Sequence, residues 1–144
     1  MPLPTSSGNS AKDIALTVDG DLVLDDTGDF ATINGVAVLQ QEVLFRLRTT
    51  LGDYLYQMQC GTELSSLIGK PNSQETANKG EETIRRSLTH DGLLDDSTLE
   101  IISFPLNNST ISYVLLIDAS SYGFTEQDVI SLEFSVDLEQ GLLL

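Results

Sequence analysis

The chain contains no tryptophan, a single cysteine, a single histidine and only seven basic residues against 22 acidic ones. Each shortage excludes something. A lone Cys60 cannot close an internal disulfide, and with no export signal in view it points to synthesis in a reducing cytoplasm. No apolar run approaches the roughly 20 residues a helix needs to cross a bilayer, so no membrane partner is expected. The net charge of -15 repels phosphate backbones and anionic lipid, which argues against nucleic acid. Basic residues stop at Arg86, and the remainder holds ten acids, Asp91, Asp95, Asp96, Glu100, Asp118, Glu126, Asp128, Glu133, Asp137 and Glu139. Such a face either keeps the protein soluble or complements a basic partner.

What is present is ordinary globular material. Of 144 residues, 40% are hydrophobic and 20% charged, enough for one domain that buries roughly 70% of its unfolded surface. The opening "MPLPTSSGNSAKD" lacks a basic n-region and an apolar h-region; residues 1–12 are expected to form a flexible arm, and 13–144 a single domain. Ile14, Leu16 and Val18, then Leu22 and Leu24, alternate with period two around Asp19-Gly20 and "DDTGD", which predicts a hairpin and a short third strand or turn. Val36, Leu39, Val43 and Leu47 follow helical spacing, so 36–50 is expected to be a helix ended by Gly52. A brief strand is expected at 54–58 and a short helix at 63–68. Asn72 with Glu75 resembles a capping box opening a second long helix. Gly80 lies on that helix's thin apolar face, implying a weak helix or close approach by another one.

The rest is strand-like, over 98–106, 110–118 and 130–138. In the last, Ile130, Leu132, Phe134, Val136 and Leu138 alternate with Ser131, Glu133, Ser135, Asp137 and Glu139, a half-buried strand with an acidic outer face. No internal repeat is apparent. The expected fold class is α+β: an N-terminal β-hairpin, two main helices and a C-terminal antiparallel sheet of about three strands over 97–144.

Chemistry is hard to find, and no catalytic, metal or cofactor residue is assigned. His90, in "LTHDG", reads as a helix-end residue satisfying terminal carbonyls, and Cys60 as a small buried side chain. Calcium would need alternating ligands, a central glycine and a distal glutamate; Val23 interrupts Asp19 and Asp21, and Phe30 follows Asp29, so these acids read as turn residues. Glu63 is the best isolated candidate for an acid catalyst and is equally a first-turn helix acid.

The most distinctive phrase is "RLRTTLGDYLYQMQCGTEL". With its surroundings, Gly35, Gln41, Arg46, Thr49-Thr50-Leu51-Gly52, Tyr54, Gly61 and Leu64 after an aspartate-rich hairpin, it resembles the baseplate wedge and sheath-initiator family of contractile phage tails and related contractile injection systems. The resemblance implies a structural baseplate wedge protein of the virion tail, present in six copies and assembled in the host cytoplasm. Its implied partners are sheath subunits, other baseplate wedge proteins and hub or tube proteins, and it implies no enzymatic activity. Arg46, Arg48, Gly52 and Gly61 are expected to shape a structural joint. Strand 130–138, lacking proline and lysine, is expected to be a bare edge that recruits sheath by β-augmentation. The Glu-Pro-Arg motif of many members is absent; "SLTHDGLLDDSTLEI" stands in its place. Two alternatives stay open: a lysozyme-like peptidoglycan hydrolase, a label members often carry, and an unrelated acidic interaction module. A sugar cleft is usually rich in aromatics, and this chain has 6%.

Overall fold

The computed structural model describes residues 12–17, 19–124 and 128–143; most of the expected N-terminal arm, and Val18, lie outside them. The fold is α+β, with two helices and two antiparallel sheets. Strands β1 (Lys12–Ile14) and β2 (Thr32–Asn34) pair, and between them single bridges join Leu16 to Leu22 and Leu24 to Phe30. The result is the expected two-stranded hairpin, with the chain between its strands folded into a further short arm. The three arms close on each other: Ala15 N–H donates to Ala31 O (2.9 Å), Ala31 N–H to Val23 O (2.9 Å) and Val23 N–H to Ala15 O (3.4 Å). An eight-residue period was therefore present in the backbone, hidden from side-chain patterns. At the second turn the Asp25 carboxylate accepts from the Thr27 and Asp29 amides, the turn role expected for these acids.

Helix α1 (Val36–Arg48) is capped by Thr49, earlier than expected, and buries Leu39, Val43 and Leu47. Gln41 on its other side reads the first arm, donating to Ile14 O and accepting from Leu16 N–H. A single turn of 3-10 helix, Leu64–Leu67, replaces the short helix expected at 63–68. Helix α2 (Gln74–Thr89) is capped by Ser73, whose hydroxyl accepts from Thr76 N–H. Asn72 is not the cap; its side chain donates to Asn107 O in the turn at 106–109.

The second sheet has four strands, one more than expected, in the order β3 (Leu99–Pro105), β4 (Thr110–Asp118), β5 (Val129–Asp137) and β6 (Gly141–Leu143). One face carries Ile111, Tyr113, Leu115 and Ile117 of β4 with Ile130, Phe134 and Val136 of β5, all in the core with residues of both helices. Tyr113 stacks on Phe134 and donates to Ala77 O in α2. Gly80 permits this approach, since a Cβ there would lie 1.9 Å from the Tyr113 hydroxyl. The close neighbour is thus a strand residue, not another helix. Burial, with Glu81 nearby, raises the Tyr113 pKa to about 12, so its hydroxyl stays a donor.

Candidate assembly interface

The glycine phrase forms a closed loop. Residues 50–62 leave α1 and return to it, pinned by Leu51 N–H to Thr62 O and Thr62 N–H to Thr49 O, both 2.9 Å. Between these ends run successive turns, Gln57 N–H to Tyr54 O and Cys60 N–H to Gln57 O. The strand expected at 54–58 is absent because those turns consume its backbone groups. This is an Ω-loop geometry, and its tip is apolar, with Leu55 81% and Tyr56 89% exposed. Gly61 holds φ 110°, and a Cβ there would lie 2.5 Å from Thr49 O. Only glycine can occupy the pinch. Gly52, at φ 90°, faces open space, so it answers to backbone conformation alone.

Arginines fix this loop and helix assembly. Arg46 is 1% exposed and grips Asp91 with two hydrogen bonds, 2.8 and 2.7 Å, while donating also to Ser87 O and Glu42. The guanidinium holds the Asp91 carboxyl well below the usual carboxylate range, against an opposing effect of burial. Arg86 donates to Gly61 O, and Arg85 to Asp96 and to Leu99 O. A Cβ on Gly20 would lie 3.1 Å from an Arg48 guanidinium nitrogen, so Arg48 lies against the first turn. The structure places Arg46 and Arg48 in the last turn of α1 and Gly52 and Gly61 in the loop that follows it. Asp91, Ser87 and Arg86, which bond to Arg46 and Gly61, sit up to 45 residues away from Arg46. No local spacing could have identified them.

Neither solitary candidate gathers partners for catalysis. His90 caps α2 with Nδ1 3.2 Å from Arg86 O. Cys60 is buried and burial pushes its thiol pKa up, away from the reactive thiolate. Glu63 is exposed, and its amide, not its carboxylate, is engaged, donating to Thr83 Oγ1.

The expectation for strand 130–138 needs correction. It is not the last strand, and Ile130, Phe134, Val136 and Leu138 are buried in the core with Leu132 packed against them. Their role is to fix which way the backbone faces. In the β4–β5 ladder, Ala119 N–H donates to Asp128 O and Leu138 N–H to Ser109 O. By antiparallel alternation, the even-numbered residues of β5 bond to β4, and the odd-numbered ones direct both N–H and C=O to the opposite side. There β6 pairs only with Ser135, Val136 and Asp137. Among the described residues, no strand covers the edge at Val129, Ser131 and Glu133.

The sheet's other edge is different. Leu106 N–H donates to Thr110 O, so Leu99, Ile101, Ser103 and Pro105 of β3 direct their backbone outward. Arg85 occupies the Leu99 carbonyl, and Pro105 has no amide to offer, both devices that discourage strand pairing. Ile101 and Ser103 lie between those two guards, whereas no such device stands at Val129, Ser131 or Glu133 among the described residues.

No curated protein matches this chain. A family model described as contractile injection system sheath initiator matches residues 12–141, spanning the three-arm unit, the Arg46 contacts and the sheet from β3 to the start of β6. With the model covering nearly the whole described fold, the chain belongs to the sheath initiator family of contractile injection systems.

Proposed function

We propose that this chain is a non-enzymatic baseplate wedge protein that starts the sheath by accepting a strand on β5. The observation that carries the reading is the bare edge at Val129, Ser131 and Glu133. A strand added there continues the line of β6, antiparallel to β5, and six residues of it span about 20 Å. Main-chain pairing supplies affinity in this mode of recognition. The acids beyond Arg86 favour a basic arm or basic flanks on the incoming subunit, which speeds and orients docking. The apolar Ω-loop tip, Leu55 and Tyr56, suits contact with another wedge or hub protein, because exposed apolar clusters mark interaction surfaces.

Hydrogen exchange tests the edge directly. Amides of Val129, Ser131 and Glu133 should exchange fast in the free protein and become protected when sheath subunits add, while those of Ile101 and Ser103 stay unchanged. Protection at β3 instead would refute the assignment. The hydrolase alternative is tested by incubating the purified protein with peptidoglycan: no cleavage is expected, and clearing that disappears with Glu63→Gln, folding unchanged, would overturn the non-enzymatic reading.

A further inference from the structure

The sheet face turned away from the helices carries two unlike lanes. By register, Ile102 of β3 lies beside Val114 of β4, which lies beside Glu133 of β5. Phe104, two residues along β3, and Leu116, two along β4, share that face. Ile102 and Phe104 are 43% and 39% exposed, and Val114 and Leu116 are half-buried. These four make an apolar lane, with exposed Glu100 beside Leu116 at one end and buried Ser112 beside Phe104 at the other. On β5 the same face presents Ser131, Glu133, Ser135 and Asp137, the other lane, and the sheet's strands contain no lysine or arginine.

We infer that this face is a docking surface for an amphipathic helix of a partner protein, with its apolar stripe over β3 and β4 and a Lys/Arg flank over β5. Neighbouring strands lie about 4.8 Å apart, so β3 and β5 are about 10 Å apart, close to the 10–12 Å diameter of one helix with its side chains. A single helix thus covers both lanes. The seven residues of β3 run about 23 Å, the length of roughly 15 helical residues. A second copy of this chain would set carboxylate against carboxylate. A flat apolar sheet would bury the Glu133 and Asp137 carboxylates with only the Ser112 hydroxyl and the Glu139 amide to satisfy them and no counter-charge, which is costly. Cationic side chains over β5 resolve both conflicts and leave the apolar lane covered.

The inference rests on reading the sheet as the assembly half of the molecule, but it concerns the sheet's face, whereas strand addition concerns its edge. The test places a photo-cross-linker, p-benzoylphenylalanine, at Phe104 of the full-length protein assembled into the contractile particle, and reads strand addition separately from hydrogen exchange of the Ser131 and Glu133 amides. The Phe104 position should capture a helical segment with Lys or Arg beside its apolar stripe, and the two amides should be protected. Absence of a cross-link at Phe104, or capture of a second copy, an acidic segment or a strand, overturns the helix inference. Unprotected Ser131 and Glu133 amides beside a captured helix overturn only strand addition. The double variant Ile102→Ser/Phe104→Ser changes exposed residues and should fold, yet weaken partner binding at least about tenfold. Unchanged binding would also overturn the inference.

Discussion

Up to Arg86 the molecule holds every lysine and arginine it has; after Arg86 it holds none. In the first region all four arginines reach from a helix to a separate element: Arg46 to Asp91, Arg48 to the Gly20 turn, Arg85 to the start of β3, and Arg86 to the neck of the Ω loop. Long polar contacts hold that region together. The sheet region relies instead on apolar alternation, with carboxylates left facing solvent. The contrast teaches a division of labour. Charges in the joint are neutralised internally and hold elements in place, whereas those in the sheet remain available to a partner.

If that division is right, substitutions in the joint should damage folding and those on the sheet's outer surface should damage assembly only. The largest expected effect is Arg46→Met, which strands the buried Ser87 carbonyl and Asp91 and should cost about 3–5 kcal/mol in urea denaturation. Phe104→Ser should stay within about 0.5 kcal/mol of the unaltered protein; comparable losses in the two variants would erase the comparison.

Acid should act on the same contact. The folded pKa of Asp91 is depressed, mainly by the Arg46 hydrogen bonds, so its stabilisation is complete above the unfolded value of about 3.9 and is lost as pH falls from there through the folded value. Urea melts at pH 7 and pH 3 should therefore show the gap between the unaltered protein and Arg46→Met narrowing at the lower pH. A constant gap would detach the ion pair from stability.

Next in size come the glycines. Gly61→Ala meets the Thr49 carbonyl as well as an unfavourable φ and should cost about 2 kcal/mol or more, while Gly52→Ala meets only the φ penalty and should cost about 1 kcal/mol. Equal costs in thermal or urea melts would mean the pinch is softer than its geometry. Smallest is Ser87→Ala. The Ser87 hydroxyl is buried and has no hydrogen-bond partner among the described residues, so removing it should change stability by less than about 0.5 kcal/mol or raise it slightly; a clear loss would reveal a bond that the packing conceals.

The sheet region was the more legible of the two in sequence, for a physical reason. Side chains at period two report directly which face is buried, and 110–118 was read to the residue. Strand β6 escaped because "GLL" is too short to show a period, and without it β5 seemed a complete edge rather than half of one. In the joint, Arg46 and Gly61 stood out, but Asp91 and Arg86 act through contacts that only the folded chain creates. The loop at 54–58 carries strand-favouring residues, and the closure between Thr49 and Thr62 overrides that preference. The backbone period linking Ala15, Val23 and Ala31 left no trace in side-chain chemistry.

The central claim is that the odd-numbered backbone of β5 receives the first sheath strand. Deleting β5 would remove core side chains and destroy the fold, so the clean variant is Ser131→Pro, which removes an outward amide while leaving the β4 ladder intact. Sheath polymerisation on particles carrying Ser131→Pro should be counted by electron microscopy beside Ser103→Pro, the equivalent change on the guarded β3 edge, with circular dichroism confirming that both variants fold. The account predicts baseplates that assemble without sheath for Ser131→Pro and normally sheathed tails for Ser103→Pro. Normal sheath on folded Ser131→Pro particles would contradict it.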